Sequence, residues 1–384
     1  MTFKYLNMFK NNFTLIALVF FTGGFISVTA QTKPLNIVTT AVPFLRIPSD
    51  ARAGGMGDVG IATSADANAA FLNNAKTPFA NNNGAIGFTY TPWLRGLGLQ
   101  DVYLGSVAGY YKLDETQAIS ASLKYFSLGN IQFTDEMGNN LNSTKPKEYS
   151  FDAGYSRKLS DKLALGIALR YIHSSLASGS YNGQSYKAAS AVAGDISLFH
   201  DGTSGMSTSG LNWGVTITNL GSKISYTNDA NRKDYLPANL GVGLAYTKIF
   251  SEDSKITVAL DVNKLLVPTP PQLSGSGTTG DSTAIANYRS KGVINSVFSS
   301  FNNGPGQIAA GAEFMYQNQF ALRGGYFYES PAKGDRKFFT FGVGLYYNMF
   351  GVNFSYLIPS GNYAVHSPLE NTFHTTMIIN FNTN

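Results

Sequence analysis

Leu163-Ala164-Leu165-Gly166-Ile167-Ala168-Leu169-Arg170-Tyr171 alternates large apolar residues with small or polar ones at every step. Successive side chains of a strand point to opposite faces. Leu163, Leu165, Ile167, Leu169 and Tyr171 therefore share one side, and Ala164, Gly166, Ala168 and Arg170 the other. A helix would scatter both sets around its axis. The pattern returns where Ile256, Val258, Leu260 and Val262 oppose Thr257, Ala259, Asp261 and Asn263. It returns again where Phe350, Val352, Phe354 and Tyr356 oppose Gly351, Asn353 and Ser355. A bare apolar face backed by a small, polar one suits a wall between lipid and a lumen.

Outward from that stretch, period-two segments recur near residues 84–91, 102–111, 117–128, 148–159, 163–174, 188–199, 211–220, 239–249, 255–264, 306–316, 320–328, 337–347, 350–357 and 371–381. These are about fourteen segments, each near the ~9–11 residues that a tilted strand needs to cross a bilayer. Short connections at 114–116, 160–162, 251–254 and 317–319 alternate with long ones at 129–147, 175–187 and 221–238. Outer-membrane barrels show this parity, with short periplasmic turns and long extracellular loops. The connection at 200–210 is long for its place. Tyr110, Tyr111, Tyr171, Tyr246, Tyr328, Tyr346 and Tyr347 near strand ends fit interfacial girdles. The expected fold is an all-β transmembrane outer-membrane barrel of about 14 antiparallel strands.

Composition agrees. Of 384 residues only 13% are charged, while 13% are aromatic and 40 are glycine. A soluble domain carries about 25% charged residues, so much of this surface meets something other than water. The absence of cysteine excludes a disulfide framework, a Cys-ligated metal and a lipoprotein anchor. The formal charge of +5 is too small and too scattered for nucleic acid. Lys4 and Lys10, the apolar run at 13–26 and the small residues Val28-Thr29-Ala30 read as a secretory signal. Residues 1–30 are expected to be removed, leaving Gln31 first, a lead-in and plug at 31–83, and the barrel at 84–384.

The plug is read from ARAGGMGDVGIATSADANAAFLNNA, residues 51–75. Gly54, Gly55, Gly57 and Gly60 allow tight turns and close backbone approach. Ser64 is placed to cap a helix through residues 65–72, with Asp66 in its first turn. Such a small-residue insert suits a barrel lumen; the plainer alternative is a surface loop with a helix. Lys124, Asp152, Arg170, Asp195, Asp261, Glu313 and Arg323 fall on the lumenal face. Their mixed signs favour a structural network over a charge-selective path.

Signals for chemistry are sparse. The four histidines are His173, His200, His366 and His374. His173 and Ser174 are strand neighbours on opposite faces, so they form no nucleophile–base pair. His173 and Ser175 can share a face, but no orienting residue can be named. No metal-ligand spacing or nucleotide fingerprint occurs, and no cofactor or catalytic residue is expected. The connection at 265–305 is the longest, and within it Val293, Val297, Phe298 and Phe301 fall at helical spacing. Apolar residues on an outward loop suggest partner docking or folding over the mouth; a loop-internal cluster is the alternative.

The plug block with Arg52-Ala53-Gly54-Gly55-Met56-Gly57 and Asp66, followed by these strands, resembles the FadL-like outer-membrane proteins. In the long-chain fatty acid transporters of that family the plug ends in Asn-Pro-Ala. Here the place reads Asn73-Asn74-Ala75, which counts against a fatty acid channel. Within the superfamily, IPSDARAGGMGDVGIATSADANAAFLNNAK at 47–76, which includes Asp58, and Thr91-Pro92-Trp93-Leu94 resemble the PorV-like proteins. These are outer-membrane components of the type IX secretion system in Bacteroidetes. The resemblance implies a non-enzymatic carrier that docks on the SprA (Sov) translocon and binds the C-terminal signal domain of exported cargo. It would then pass cargo to the attachment complex containing the PorU sortase. The family supplies no motif for the contacts; Trp93, Leu94, Val293, Val297, Phe298 and Phe301 are the candidates. A channel for hydrophobic small molecules, with a lateral gap near Gly129-Asn130, is the second reading, and a lipid deacylase the third.

Overall fold

The computed structural model describes residues 38–134, 137–176, 179–181, 184–203, 205–229, 232–272, 279–301, 306–361 and 369–382. The expected signal segment at 1–30 and His366 lie outside the described residues. Fourteen strands close into one antiparallel barrel. They are β1 (Gly84–Pro92), β2 (Val102–Lys112), β3 (Gln117–Leu128), β4 (Lys147–Lys158), β5 (Leu163–Ser175), β6 (Ala189–His200) and β7 (Gly210–Gly221). Then come β8 (Asn239–Ile249), β9 (Ser254–Leu265), β10 (Gln307–Tyr316), β11 (Phe320–Glu329), β12 (Lys337–Tyr347), β13 (Phe350–Pro359) and β14 (Phe373–Phe381). Expected and observed strands agree to within about two residues, the usual scatter of element ends. Each strand pairs with its sequence neighbours, and β1 closes on β14 from Gly84↔Phe381 to Tyr90↔Thr375. An even count lets first and last strands meet antiparallel, and closure leaves no unpaired edge in hydrocarbon.

The alternation maps onto the two faces. Leu169 is 71% exposed on the outer face of β5, whereas Ala164 is fully buried on the inner one. An aliphatic belt of this extent is stable only against lipid. Tyr111, Tyr171, Tyr246, Tyr328 and Tyr347 are exposed as girdle residues should be. Tyr110 and Tyr346 instead turn inward, where Tyr110 donates to Asn82 O and Tyr346 to Asn353 Oδ1. Adjacent tyrosines in a strand cannot both face lipid.

Connections after even-numbered strands are tight turns at one end of the barrel, and those after odd-numbered strands are the longer loops at the other. The connection at 201–209 is compact because the Asp201 carboxylate accepts from Thr203 N, Thr203 Oγ1 and Gly205 N. At the loop end stand two small ribbons, Ile131–Thr134 with Asn140–Thr144 and Gly179–Tyr181 with Gln184–Tyr186. The last long loop but two carries helices at Thr279–Ser290 and Val293–Ser300.

Residues 38–83 run through the interior from the loop end to the turn end. Val42, Phe44 and Ile47 pack with Val102, Leu104, Phe126 and Ile172 near the loops. Thr77 bonds Ser156, and Phe79 meets Phe199, near the turns. This lumenal segment contains α1 (Ala51–Gly55) and α2 (Ala69–Leu72); the helices named above are α3 and α4. Asp50 caps α1 by accepting from Ala53 N at 2.7 Å. Gly57 has φ +72°, and a Cβ there would lie 2.7 Å from Tyr326 N of the wall. A side chain would therefore clash with backbone while straining its own.

The helix expected over 65–72 is only α2, and Ser64 caps nothing. Arg52 takes the Ser64 carbonyl at 3.1 Å, the Ser64 hydroxyl at 2.9 Å and the Asp66 carboxylate at 3.0 Å. Asp66 in turn accepts from Asn68 N. Groups that would start a helix are thus engaged across the segment, a tertiary demand that overrides local capping.

Candidate functional site

Two regions could carry function: the filled lumen and the loop face. In the lumen, Arg52 places Nε 3.0 Å and Nη2 2.8 Å from the two oxygens of Glu313. Glu313 lies opposite Arg323 across β10 and β11 and also accepts from its Nε at 2.7 Å. Arg323 continues to Asn353 Oδ1 at 2.8 Å. Removing Glu313 would leave the buried Arg323 without a carboxylate partner, which costs about 3–5 kcal/mol. Asp152 and Arg170 form a second pair across β4 and β5. Arg170 also reaches Asp195 at 3.0 Å and bonds Asn219.

Asn219 arrives there through a β-bulge. The β6–β7 register passes from Ile196↔Ile217 to Gly194↔Leu220, leaving one extra residue in β7, and Asn219 has φ 57°. Bulges re-aim side chains in this way. Asn219 Nδ2 then donates to Pro237 O and ties down the loop at 222–238.

The remaining inward charges hold the lumenal segment itself. Asp261 Oδ2 accepts from Gly60 N at 2.7 Å and Ile61 N at 3.0 Å. Lys124 Nζ donates to Leu45 O and Ile47 O, each at 3.1 Å. Asn73 accepts from Ala75 N and donates to Ile61 O and Leu198 O. Asn74 accepts from Ser120 Oγ at 2.7 Å and donates to Ile167 O at 3.3 Å. Gly54 and Gly55 lie against the wall, where Cβ atoms would meet His374 and Gly342.

Sequence reading missed Lys76 and Glu329. Lys76 is buried and donates to Gly60 O at 2.7 Å. Glu329 joins Arg46 at 2.6 Å and Arg336 at 2.7 Å. Glu329 was legible by parity, since it shares the inward face of β11 with Arg323. Lys76 follows no periodic pattern and carried no signal. Burial pushes the Asp58 carboxyl up to about 7 and the Lys76 ammonium down to about 8.

The lumenal spaces that remain are of mixed polarity, with charged side chains in the lining of each. About 380 Å³ at the turn end is lined by Arg52, Asp66, Asp201, Asn212 and Lys255. About 150 Å³ higher up is lined by Asp58, Lys124, Asp261 and Arg336. Apolar ligands bind in predominantly apolar pockets, and neither space is one.

On the loop face, α4 is inverted in polarity. Ser296 and Ser300 are buried against the protein, with Ser296 Oγ donating to Tyr235 OH at 2.9 Å. Ile294 and Phe298 are each 70% exposed, and Phe301 is exposed beside them. Of the expected contacts Phe298 and Phe301 are on this face, Val293 and Val297 are half-buried at its flank, and Ile294 was overlooked. Trp93 and Leu94 are not on it: both are half-buried against the Val42, Phe44 and Val102 cluster.

His173 faces outward and bonds Ser190 Oγ at 3.0 Å beside Tyr149. Ser174 faces inward and donates to Glu148 at 2.6 Å. The wall beside Gly129-Asn130 is paired without a shift from Gln117↔Arg157 to Ser127↔Lys147.

A family model described as "Type IX secretion system protein PorV" matches residues 29–272. No curated protein matches the chain in sequence. Among solved structures, the Ralstonia pickettii toluene transporter TbuX aligns at TM-score 0.52 and 12% identity, covering 86% of this chain and 98% of its own. The CymD monoaromatic hydrocarbon channel aligns at TM-score 0.51 and 11% identity, covering 87% and 98%. A Pseudomonas aeruginosa FadL homologue aligns at TM-score 0.44 and 11% identity, covering 91% and 100%. At such identities the likeness to TbuX and CymD shows the barrel fold alone and nothing about ligands.

Proposed function

This chain belongs to the PorV family of type IX secretion system proteins, and from that premise we propose that it is a non-enzymatic cargo carrier of the outer membrane. It docks on the SprA (Sov) translocon and binds the C-terminal signal domain of exported proteins. It then hands them to the attachment complex that contains the PorU sortase. The observation that carries this reading is the inverted helix α4. Ser296 and Ser300 are buried, with Ser296 bonded to Tyr235, while Ile294, Phe298 and Phe301 stand exposed on an extracellular loop. Exposed apolar clusters of this kind mark interaction sites.

The filled lumen supports the same reading. Residues 38–83 bond to strands around the barrel, so this part of the chain works as a plug and the barrel as a scaffold that presents its loops. A channel for hydrophobic molecules would need an apolar path or a gap in the wall. The charged groups that line both cavities and the unbroken β3–β4 ladder argue against both.

The test is affinity capture of the tagged chain from detergent-solubilised outer membranes, with proteins and lipids both identified. A very large barrel protein, or secreted proteins sharing one C-terminal domain, is the expected catch. Ile294→Asp with Phe298→Asp should reduce it at least tenfold without altering the heat-dependent gel mobility of the barrel. Recovery of the barrel alone, carrying an apolar small molecule, would sink the carrier reading.

A further inference from the structure

Behind the apolar face of α4 lies a cleft of about 690 Å³ on the loop face, between the loop at 222–238 and the α3–α4 junction. Four cationic residues line it: Lys223, Lys233, Arg289 and Lys291. No carboxylate is among the lining residues, although Asp234 follows Lys233 in the chain. Only Lys223 is internally satisfied. Its Nζ donates to Arg289 O at 2.7 Å and Lys291 O at 2.6 Å and sits 4.1 Å above the Tyr235 ring. It forms the floor and fixes the end of α3 there. Lys233, Arg289 and Lys291 enter no ion pair among the described residues, and Lys233 and Lys291 are exposed. The first turn of α4 opens on the same cleft at Gly292 and Val293, and its N-cap supplies no side-chain acceptor.

Gathering like charges is unfavourable unless an anion offsets them. Here backbone already anchors one of the four, and the first turn of α4 adds the positive end of a helix that no side chain caps. A single carboxylate would leave most of this unanswered. A phosphate monoester carries about −1.5 to −2 charges near neutral pH and three acceptor oxygens. We propose that this cleft is a phosphate-binding site on the extracellular face, filled by a phosphorylated lipid headgroup or by free phosphate. It is independent of the cargo reading, because its four cationic residues lie off the Ile294–Phe298 face.

The mature protein in zwitterionic detergent micelles is titrated by native mass spectrometry with inorganic phosphate, a monophosphorylated glycolipid of lipid A type, and the same glycolipid dephosphorylated. Saturable binding of the phosphorylated but not the dephosphorylated glycolipid is expected. Lys233→Ala with Lys291→Ala should weaken it roughly tenfold or more, since two charge-assisted bonds to the phosphate oxygens are lost. Lys233→Arg with Lys291→Arg should retain it, and affinity should fall with added salt. Competition by inorganic phosphate at comparable concentration assigns the site to free phosphate; its failure to compete assigns it to the headgroup. Unchanged gel mobility of the alanine variant verifies folding. Equal binding by that variant, indifference to the phosphate group, or saturable binding only of a polyglutamate peptide would overturn the proposal. Loss of phosphate binding with intact cargo capture, or the reverse, separates the two readings.

Discussion

At the scale of single residues, the lumen is held by polar side chains that leave few alternatives. Asn74 stands at the first position of a 3-10 turn, where proline fits the backbone. Asn74→Pro should therefore keep the fold but lose the bonds to Ser120 and Ile167. We expect a stability loss of about 1–3 kcal/mol, read from urea unfolding in micelles. No loss would mean that the amide is idle. Asp58 makes a second case. Burial pushes its carboxyl from the ordinary 3.8 up to about 7. A raised acid favours the protonated folded state, so its contribution is most favourable below 3.8 and declines as pH rises towards 7. Asp58→Asn, tolerated at φ 67°, should gain on the wild type across that window and hold a constant advantage above it. A pH-independent difference between the two proteins would refute the shift.

Among elements, the bulge in β7 and helix α4 show how local irregularity carries specificity. Sequence alternation alone sees β7 as one more strand. The extra residue turns Asn219 inward to Arg170 and links the wall to Pro237. Deleting Asn219 would restore a regular ladder. The barrel should still form, while the loop at 222–238 becomes more readily cleaved in limited proteolysis of intact cells. Unchanged cleavage would show that the loop is held by other contacts, such as Tyr226 on Ser174. Helix α4 was legible from apolar spacing, but its exposed face was not. Spacing gives a stripe, and whether that stripe faces in or out depends on where Ser296 finds Tyr235.

For the whole molecule, a filled lumen and a closed wall separate a scaffold from a conduit. The chain lacks cysteine, so an introduced pair reports cleanly. Ala51 N lies 2.8 Å from Thr376 Oγ1, so cysteines are introduced at these two positions and a cross-link between the lumenal segment and β14 is checked first by gel mobility with and without reductant. A carrier should keep secreting cargo when oxidised, within about twofold of the reduced protein, since 1 kcal/mol already exceeds that factor. A channel should instead lose uptake of its hydrophobic small molecule on oxidation. Secretion that fails on oxidation and returns on reduction would mean that the segment moves during work.

The sequence by itself determined the class, the strands and their parity. Alternation is a local property, written residue by residue wherever one face meets lipid and the other does not. It also placed the inward charges, because parity alone assigns Asp152, Arg170, Glu313 and Arg323 to the lumen. Tertiary structure decided what those charges touch. Arg52 and Glu313, or Lys124 and the carbonyls of Leu45 and Ile47, are brought together by closure of the barrel around the segment. The same closure left only Ala69–Leu72 of the helix expected at 65–72 and half-buried Trp93 against the cluster that contains Phe44. Partners distant in sequence meet only once the ring is shut, and buried polar groups must take whichever partner is then within reach.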